Sequence, residues 1–98
     1  MGPWAVTADE LDLADEIIEC SVNGELRQKV NTRDLIFDVP TLIADLSAGI
    51  TLHTGDIIAT GTPAGVGIGF DPPQFLAPGD VVRVSGTSLG ALENTVGH

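Results

Sequence analysis

The chain has 98 residues, 43 % of them hydrophobic, and carries 14 Asp and Glu against 4 Lys and Arg, a formal net charge of −10. That charge repels a phosphate backbone and leaves no basic stripe, which argues against nucleic acid as a partner. No apolar stretch approaches the roughly 18–20 residues of a membrane helix, and no basic start precedes an apolar run, so neither a helical span nor a signal peptide is expected.

The expectation is one small unit over residues 1–98, because the apolar content suffices for a packed core rather than a disordered tail. A lone Cys20 can form neither an internal disulfide nor a thiolate metal cluster, which fits a reducing, cytoplasmic setting. Gly2-Pro3-Trp4 opens an irregular lead-in, with Trp4 expected to pack down. Thr7-Ala8-Asp9-Glu10 has the pattern of a short helical turn, Thr7 capping it and Glu10 completing a capping box. The runs Ile17 to Val22 and Glu25 to Val30 flank Asn23-Gly24, the pair that a two-residue hairpin turn with positive φ at both positions prefers. Pro40 near a start, apolar residues at 39, 42, 43 and 46, and Gly49 as a stop predict the main helix, about residues 39–48. Gly55-Asp56 then opens an apolar strand Ile57-Ile58-Ala59, Gly79-Asp80 opens a second over Val81 to Ser85, and Leu89 to Val96 reads as the last. The expected class is mixed α+β, mainly β, with one main helix.

The run Thr60-Gly61-Thr62-Pro63-Ala64-Gly65-Val66-Gly67-Ile68-Gly69 is a glycine-rich turn that follows an apolar segment. A dinucleotide fingerprint aligned on Gly65 and Gly67 needs glycine where Phe70 stands, and a P-loop aligned on Gly61 needs glycine and lysine where Val66 and Gly67 stand; both nucleotide readings fail. Backbone N–H groups and the Thr60 and Thr62 hydroxyls can instead hold a carboxylate or enolate oxygen, while the glycines alone fit ordinary tight turns.

Asp12, Asp15, Glu16 and Glu19 share one face if helical. They are read as a solvated face rather than a Mg²⁺ or Ca²⁺ site, since no ligand loop accompanies them. His53 and the terminal His98 have no nucleophile and acidic partner in a recognisable order and are read as surface residues. Cys20 beside Glu19 reads as core rather than nucleophile. Alternation along a strand sends Arg27 and Gln28 to opposite faces, so that only one of them faces a given pocket, and Arg27 is read as a surface or interface residue.

Taken in order, Gly2-Pro3-Trp4, Val22-Asn23-Gly24-Glu25 with Arg27-Gln28, Asn31-Thr32, Ile36-Phe37-Asp38-Val39-Pro40, Gly55-Asp56, Thr60-Gly61-Thr62-Pro63, Gly65-Val66-Gly67, Pro78-Gly79-Asp80 and Leu92-Glu93-Asn94 resemble the C-terminal part of the fumarylacetoacetate hydrolase family. The resemblance runs through nearly the whole chain. It implies part of a mixed β-roll, usually dimeric, in a metal-dependent enzyme of aromatic-compound catabolism that acts on 2-oxo or 1,3-dicarbonyl acids by C–C hydrolysis or enol–keto isomerisation. A 2-oxo acid decarboxylase, such as one for oxaloacetate, is the close enzymatic rival. By resemblance Thr62 binds a substrate oxygen and Gly61 shapes its turn.

The family's Mg²⁺ or Mn²⁺ ligands precede the Gly-Pro-Trp segment, so the resemblance implies that they lie upstream of Met1, with no metal site and no complete catalytic set in this segment. The expected partners are a small 2-oxo or dicarboxylic acid and either a second copy or the N-terminal portion. The alternative is a truncated, inactive fragment or a β-rich interaction module.

Overall fold

The computed structural model describes residues 2–98. Its frame is a four-stranded antiparallel sheet in the order β2-β1-β3-β4, made of β1 (Ile17–Val22), β2 (Glu25–Asn31), β3 (Val81–Gly86) and β4 (Gly90–Thr95). The helix α1 (Val39–Gly49) and the long connection that follows it fill the sequence between β2 and β3. The expected class, mainly β with one main helix, is what is found.

The Asn-Gly pair forms the anticipated turn: Asn23 has φ 51° and Gly24 φ 80°, and Val22 pairs directly with Glu25 across it. Asn23 also works outside the turn. Its Nδ2 donates to Asp80 Oδ1 at 2.9 Å and its Oδ1 accepts from the Val81 N–H at 2.9 Å, so one side chain joins the β1–β2 turn to the start of β3. Asp80 Oδ2 accepts from Ala77 N–H at 2.9 Å, closing the Gly79-Asp80 turn. The far end of β1 is fastened as well. Glu16, 3 % exposed, accepts the Ser88 N–H at its carboxylate, while its own N–H donates to Thr32 Oγ1 at 2.9 Å. The Ile17 N–H donates to Thr87 Oγ1 at 2.9 Å. The Thr87-Ser88-Leu89 loop between β3 and β4 is therefore held against the entry to β1.

Helix α1 starts where Asp38 caps it, its carboxylate accepting the Thr41 N–H at 2.9 Å, with Pro40 in the first turn where a missing N–H costs nothing. The capping hydrogen bonds, chiefly those from Thr41, hold the Asp38 carboxyl below its ordinary value.

Several expectations are corrected. A 3₁₀ turn does form over Ala8–Glu10 after Thr7, but Thr7 makes no side-chain cap bond; three residues are too few to align a capping box. Ile57-Ile58-Ala59 is not a strand: among the described residues no neighbouring backbone pairs with it, and Ile57 is 72 % exposed. The acidic stripe is not helical either. Asp12 closes a local turn onto Ala14, Asp15 accepts from Asn31, Glu16 is buried rather than solvated, and Glu19 lies on β1 beside Lys29 at 3.4 Å. Trp4 rests its ring against Gly90 but stays 61 % exposed, and Cys20 is half-buried on β1 rather than fully enclosed. Val22 is the one apolar residue classed as buried among those described.

Folding depresses the Asp80 pKa from 3.8, first through the Ala77 N–H and then through Asn23. Folding thus favours the carboxylate: the stabilisation is complete above the unfolded value and is lost as pH falls through the lower folded one. An NMR titration is expected to place Asp80 below 3.8, and Asn23→Ala to raise that value while leaving the Asp38 titration in place.

Candidate functional site

The site is built on a register shift. From Ile17↔Asn31 to Cys20↔Gln28 the β1–β2 pairs run without a break, but the next pair is Ser21↔Leu26. Arg27 is therefore the extra residue of a β-bulge, which interrupts the alternation of faces. The sequence reading, which sent Arg27 and Gln28 to opposite faces, fails for this reason: both side chains engage the segment that runs from Thr62 to Phe70.

Gln28 Nε2 donates to Thr62 Oγ1 at 2.9 Å and to the Pro63 carbonyl at 3.0 Å. The Arg27 guanidinium lies over the Phe70 ring, 5.2 Å from its centroid, a cation–π arrangement. Of the two roles expected for Arg27, surface or interface, the exposed surface one does not hold, since its side chain is only 17 % exposed. Its Nε is 3.2 Å from Glu25 Oε1, yet this buried nitrogen has no partner in hydrogen-bond geometry; the approach is a charge contact whose N–H is misaimed.

The loop can lie this close because of glycine. Gly65 has φ 111°, and a Cβ there would run into the Arg27 carbonyl oxygen and meet Gln28 Cγ at 3.0 Å. Gly67 is similarly pressed against the Gln74 carbonyl, with the Gln74 N–H returning a hydrogen bond to the Gly67 oxygen at 2.8 Å. Gly61, at φ 107° with open space around it, turns the chain between Thr60 and Thr62. The glycines of this loop thus have different duties: Gly65 and Gly67 permit contact, whereas Gly61 sets direction.

Thr60, Gly61, Thr62 and Pro63 border a cavity of about 610 Å³, with an apolar wall that includes Ile18, Val30, Leu35, Phe37 and Leu42. Thr62 itself is exposed. His53 and His98 are exposed and stand apart from this arrangement. His53 contributes only backbone groups, its N–H donating to Asp56 Oδ2 at 2.7 Å and its carbonyl accepting from the Asp56 N–H at 3.1 Å. Among the described residues no three His, Cys, Asp or Glu side chains gather in a group that could hold a metal ion, and no helix is long and apolar enough to cross a membrane.

A profile described as fumarylacetoacetate (FAA) hydrolase C-terminal matches residues 1–97. The chain belongs to this family. An uncharacterised protein of Staphylococcus aureus (strain USA300) is 52 % identical over 93 residues, which are 94 % of this chain and 31 % of that protein. The fumarylacetoacetate hydrolase of the psychrophile Exiguobacterium antarcticum superposes with a TM-score of 0.90 at 51 % identity, over 94 % of this chain and 33 % of its own. Maleylpyruvate hydrolase of Sphingobium sp. SYK-6, solved with manganese(II) and pyruvate, gives 0.87 at 46 % identity over 98 % and 34 %. The 2-hydroxyhepta-2,4-diene-1,7-dioate isomerase of Mycobacterium marinum gives 0.83 at 41 % over 98 % and 34 %. The chain thus spans about a third of the length of the fumarylacetoacetate hydrolase-family relatives it matches, and these include hydrolases and an isomerase.

The sequence reading marked Thr62 and Gly61 but missed what fixes them. Alternation with Val30 already turns Gln28 to the cavity side; which loop meets it there, and that Arg27 joins it, depend on tertiary contacts and a bulge that neither strand's sequence alone contains. Replacing Gly65 by Ala is expected to lower unfolding stability by about 2–3 kcal/mol, from the backbone conformation and the clash with Arg27 together. Chemical denaturation measures it, with Gly61→Ala, which meets no neighbouring atom, losing less.

Proposed function

We propose that this chain is the C-terminal part of an enzyme that acts on 2-oxo or 1,3-dicarbonyl acids, by C–C hydrolysis or enol–keto isomerisation, in aromatic-compound catabolism. The observation that carries the reading is Thr62: an exposed residue whose hydroxyl is held by Gln28, at the border of a largely apolar cavity that Asn31, Thr32 and Asp34 also line. The names of the hydrolase and isomerase relatives support the substrate class.

In this reading the Thr62 hydroxyl donates a hydrogen bond to a carboxylate or enolate oxygen, a contact that strengthens as negative charge develops there. Gly61 sets the turn that carries this hydroxyl at the border of the cavity. The described residues do not fit a metal centre, so no step is assigned to one here. For the whole enzyme we propose Mg²⁺ or Mn²⁺, with ligands from sequence N-terminal to this segment; the manganese(II) bound in the Sphingobium relative supports it.

A second reading, that the segment has no activity of its own and works only when joined to further polypeptide or a second copy, is favoured by its surface. Ile36 is 92 % exposed, Phe75 73 % and Ile57 72 %, and apolar area of this kind calls for a cover. Both readings hold together if the cover is the rest of a dimeric cytoplasmic enzyme. The close enzymatic rival remains a 2-oxo acid decarboxylase, separated from the others by product analysis.

The test is Thr62→Val in the intact polypeptide that carries this segment, assayed on oxaloacetate, fumarylpyruvate and a hydroxymuconate-type acid. Loss of one hydrogen bond to a charged oxygen is expected to reduce kcat/KM about tenfold or more on the accepted substrate. Unchanged kinetics would remove Thr62 from the site.

A further inference from the structure

We propose that Gln28 is a positioning residue that turns the Thr62 proton away from β2, presenting the hydroxyl on its open side as a donor toward acceptor-only oxygens such as carboxylate and enolate. The proposal rests on the reading of Thr62 as a substrate-binding residue. It goes beyond that reading by assigning which oxygens Thr62 accepts as partners and which residue imposes the choice.

The direction follows from three atoms. Gln28 Nε2 lies 3.0 Å from the Pro63 carbonyl oxygen, and a carbonyl oxygen can only accept. The face of the amide turned to the loop must then be its NH₂ group and not its oxygen, which settles an orientation that the amide's shape alone leaves open. The same nitrogen lies 2.9 Å from Thr62 Oγ1. Its second hydrogen is directed there, so the hydroxyl oxygen accepts from Gln28 and its proton has to leave in another direction. Among the described residues that proton reaches no acceptor, and Thr62 is exposed whereas Gln28 is half-buried.

A hydroxyl normally serves as donor or acceptor according to what it meets. Here one lone pair is engaged from β2, and donation by the amide also polarises the O–H bond, strengthening its own donation. The amide fills one of the two lone pairs and turns the proton away from β2, so an acceptor oxygen arriving from the open side meets the hydrogen, which biases this point toward carboxylate and enolate oxygens. Gln28 stands in the regular part of the strand pair, opposite Cys20 and two residues from the cavity-lining Val30, so ordinary alternation turns it toward Thr62.

The experiment is a double-mutant cycle in the intact polypeptide, with the affinity of oxalate, a planar dianion resembling the enolate of a 2-oxo acid, measured calorimetrically in the presence of Mn²⁺. Thr62→Val is expected to weaken oxalate about tenfold or more. Gln28→Glu offers Thr62 a carboxylate that takes the proton, and is expected to weaken oxalate by about the same factor; in the Thr62→Val background it should cost little more. Gln28→Met keeps the volume, removes both hydrogen bonds and leaves the hydroxyl free to turn, so its loss should be only a few-fold.

An equal loss from Gln28→Glu with and without Thr62 would overturn the proposal, since it would mean direct charge repulsion. Equal losses from the Glu and Met variants would overturn it too, reducing Gln28 to a loop anchor. If Gln28→Glu does not fold, Gln28→Met decides: a loss as large as that of Thr62→Val overturns the proposal, and a few-fold loss supports it. If Thr62→Val binds oxalate normally, the reading of Thr62 itself falls and this proposal with it, a result distinct from a sensitive Thr62 and an indifferent Gln28.

Discussion

The one-residue bulge at Arg27 is the constraint on which the site depends. Without it Gln28 and Arg27 would face opposite ways, and the segment from Thr62 to Phe70 would lose one of its two attachments to the sheet. With it, an amide and a guanidinium grip the same loop, the first at Thr62 and Pro63 and the second at Phe70. The loop answers with Gly65, the residue whose missing Cβ lets the two backbones meet. Bulge and glycine are thus two halves of one contact, contributed by parts of the sequence nearly forty positions apart.

Strand β1 supplies the rigidity behind that contact. It is central in the sheet, paired on both sides, and its two ends are held by different chemistry. At one end Asn23 spans two strands through both atoms of its amide. At the other, the carboxylate of Glu16 receives a backbone N–H of the β3–β4 loop while its main chain holds Thr32. Little of this comes from apolar burial, with Val22 the one apolar side chain classed as buried among the described residues. Directional hydrogen bonds at loop ends, rather than a core, set how these strands sit.

What could be read from the sequence was local. The Asn23-Gly24 turn announces itself because few residue pairs tolerate positive φ twice, and α1 because Pro40 and the apolar spacing agree on start and face. The family could be recognised because many weak motifs fall in one order, and the order brought Thr62 with it. What could not be read was relational. Ile57-Ile58-Ala59 has a strand's composition but needs a partner backbone, which composition cannot supply. Glu16 sits in an acidic run that reads as solvated, and only the return of Ser88 across the sheet shows why it is buried. Arg27 and Gln28 looked like alternating strand residues until the register shift turned Arg27 to the loop that Gln28 already meets at Thr62.

The Asn23 clasp has a bearing on how this protein ages. Asparagine followed by glycine is the pair at which a side-chain amide is most readily lost to hydrolysis, because the next backbone nitrogen is unshielded. Here the amide is engaged at both atoms, which restrains it from turning toward Gly24. Were the conversion to occur, the donor facing Asp80 would become a second carboxylate, and the bond joining the turn to β3 would become a repulsion between like charges. The contact that joins the two strand pairs would then be the place where they begin to part, a chemical clock set in the turn that organises the sheet.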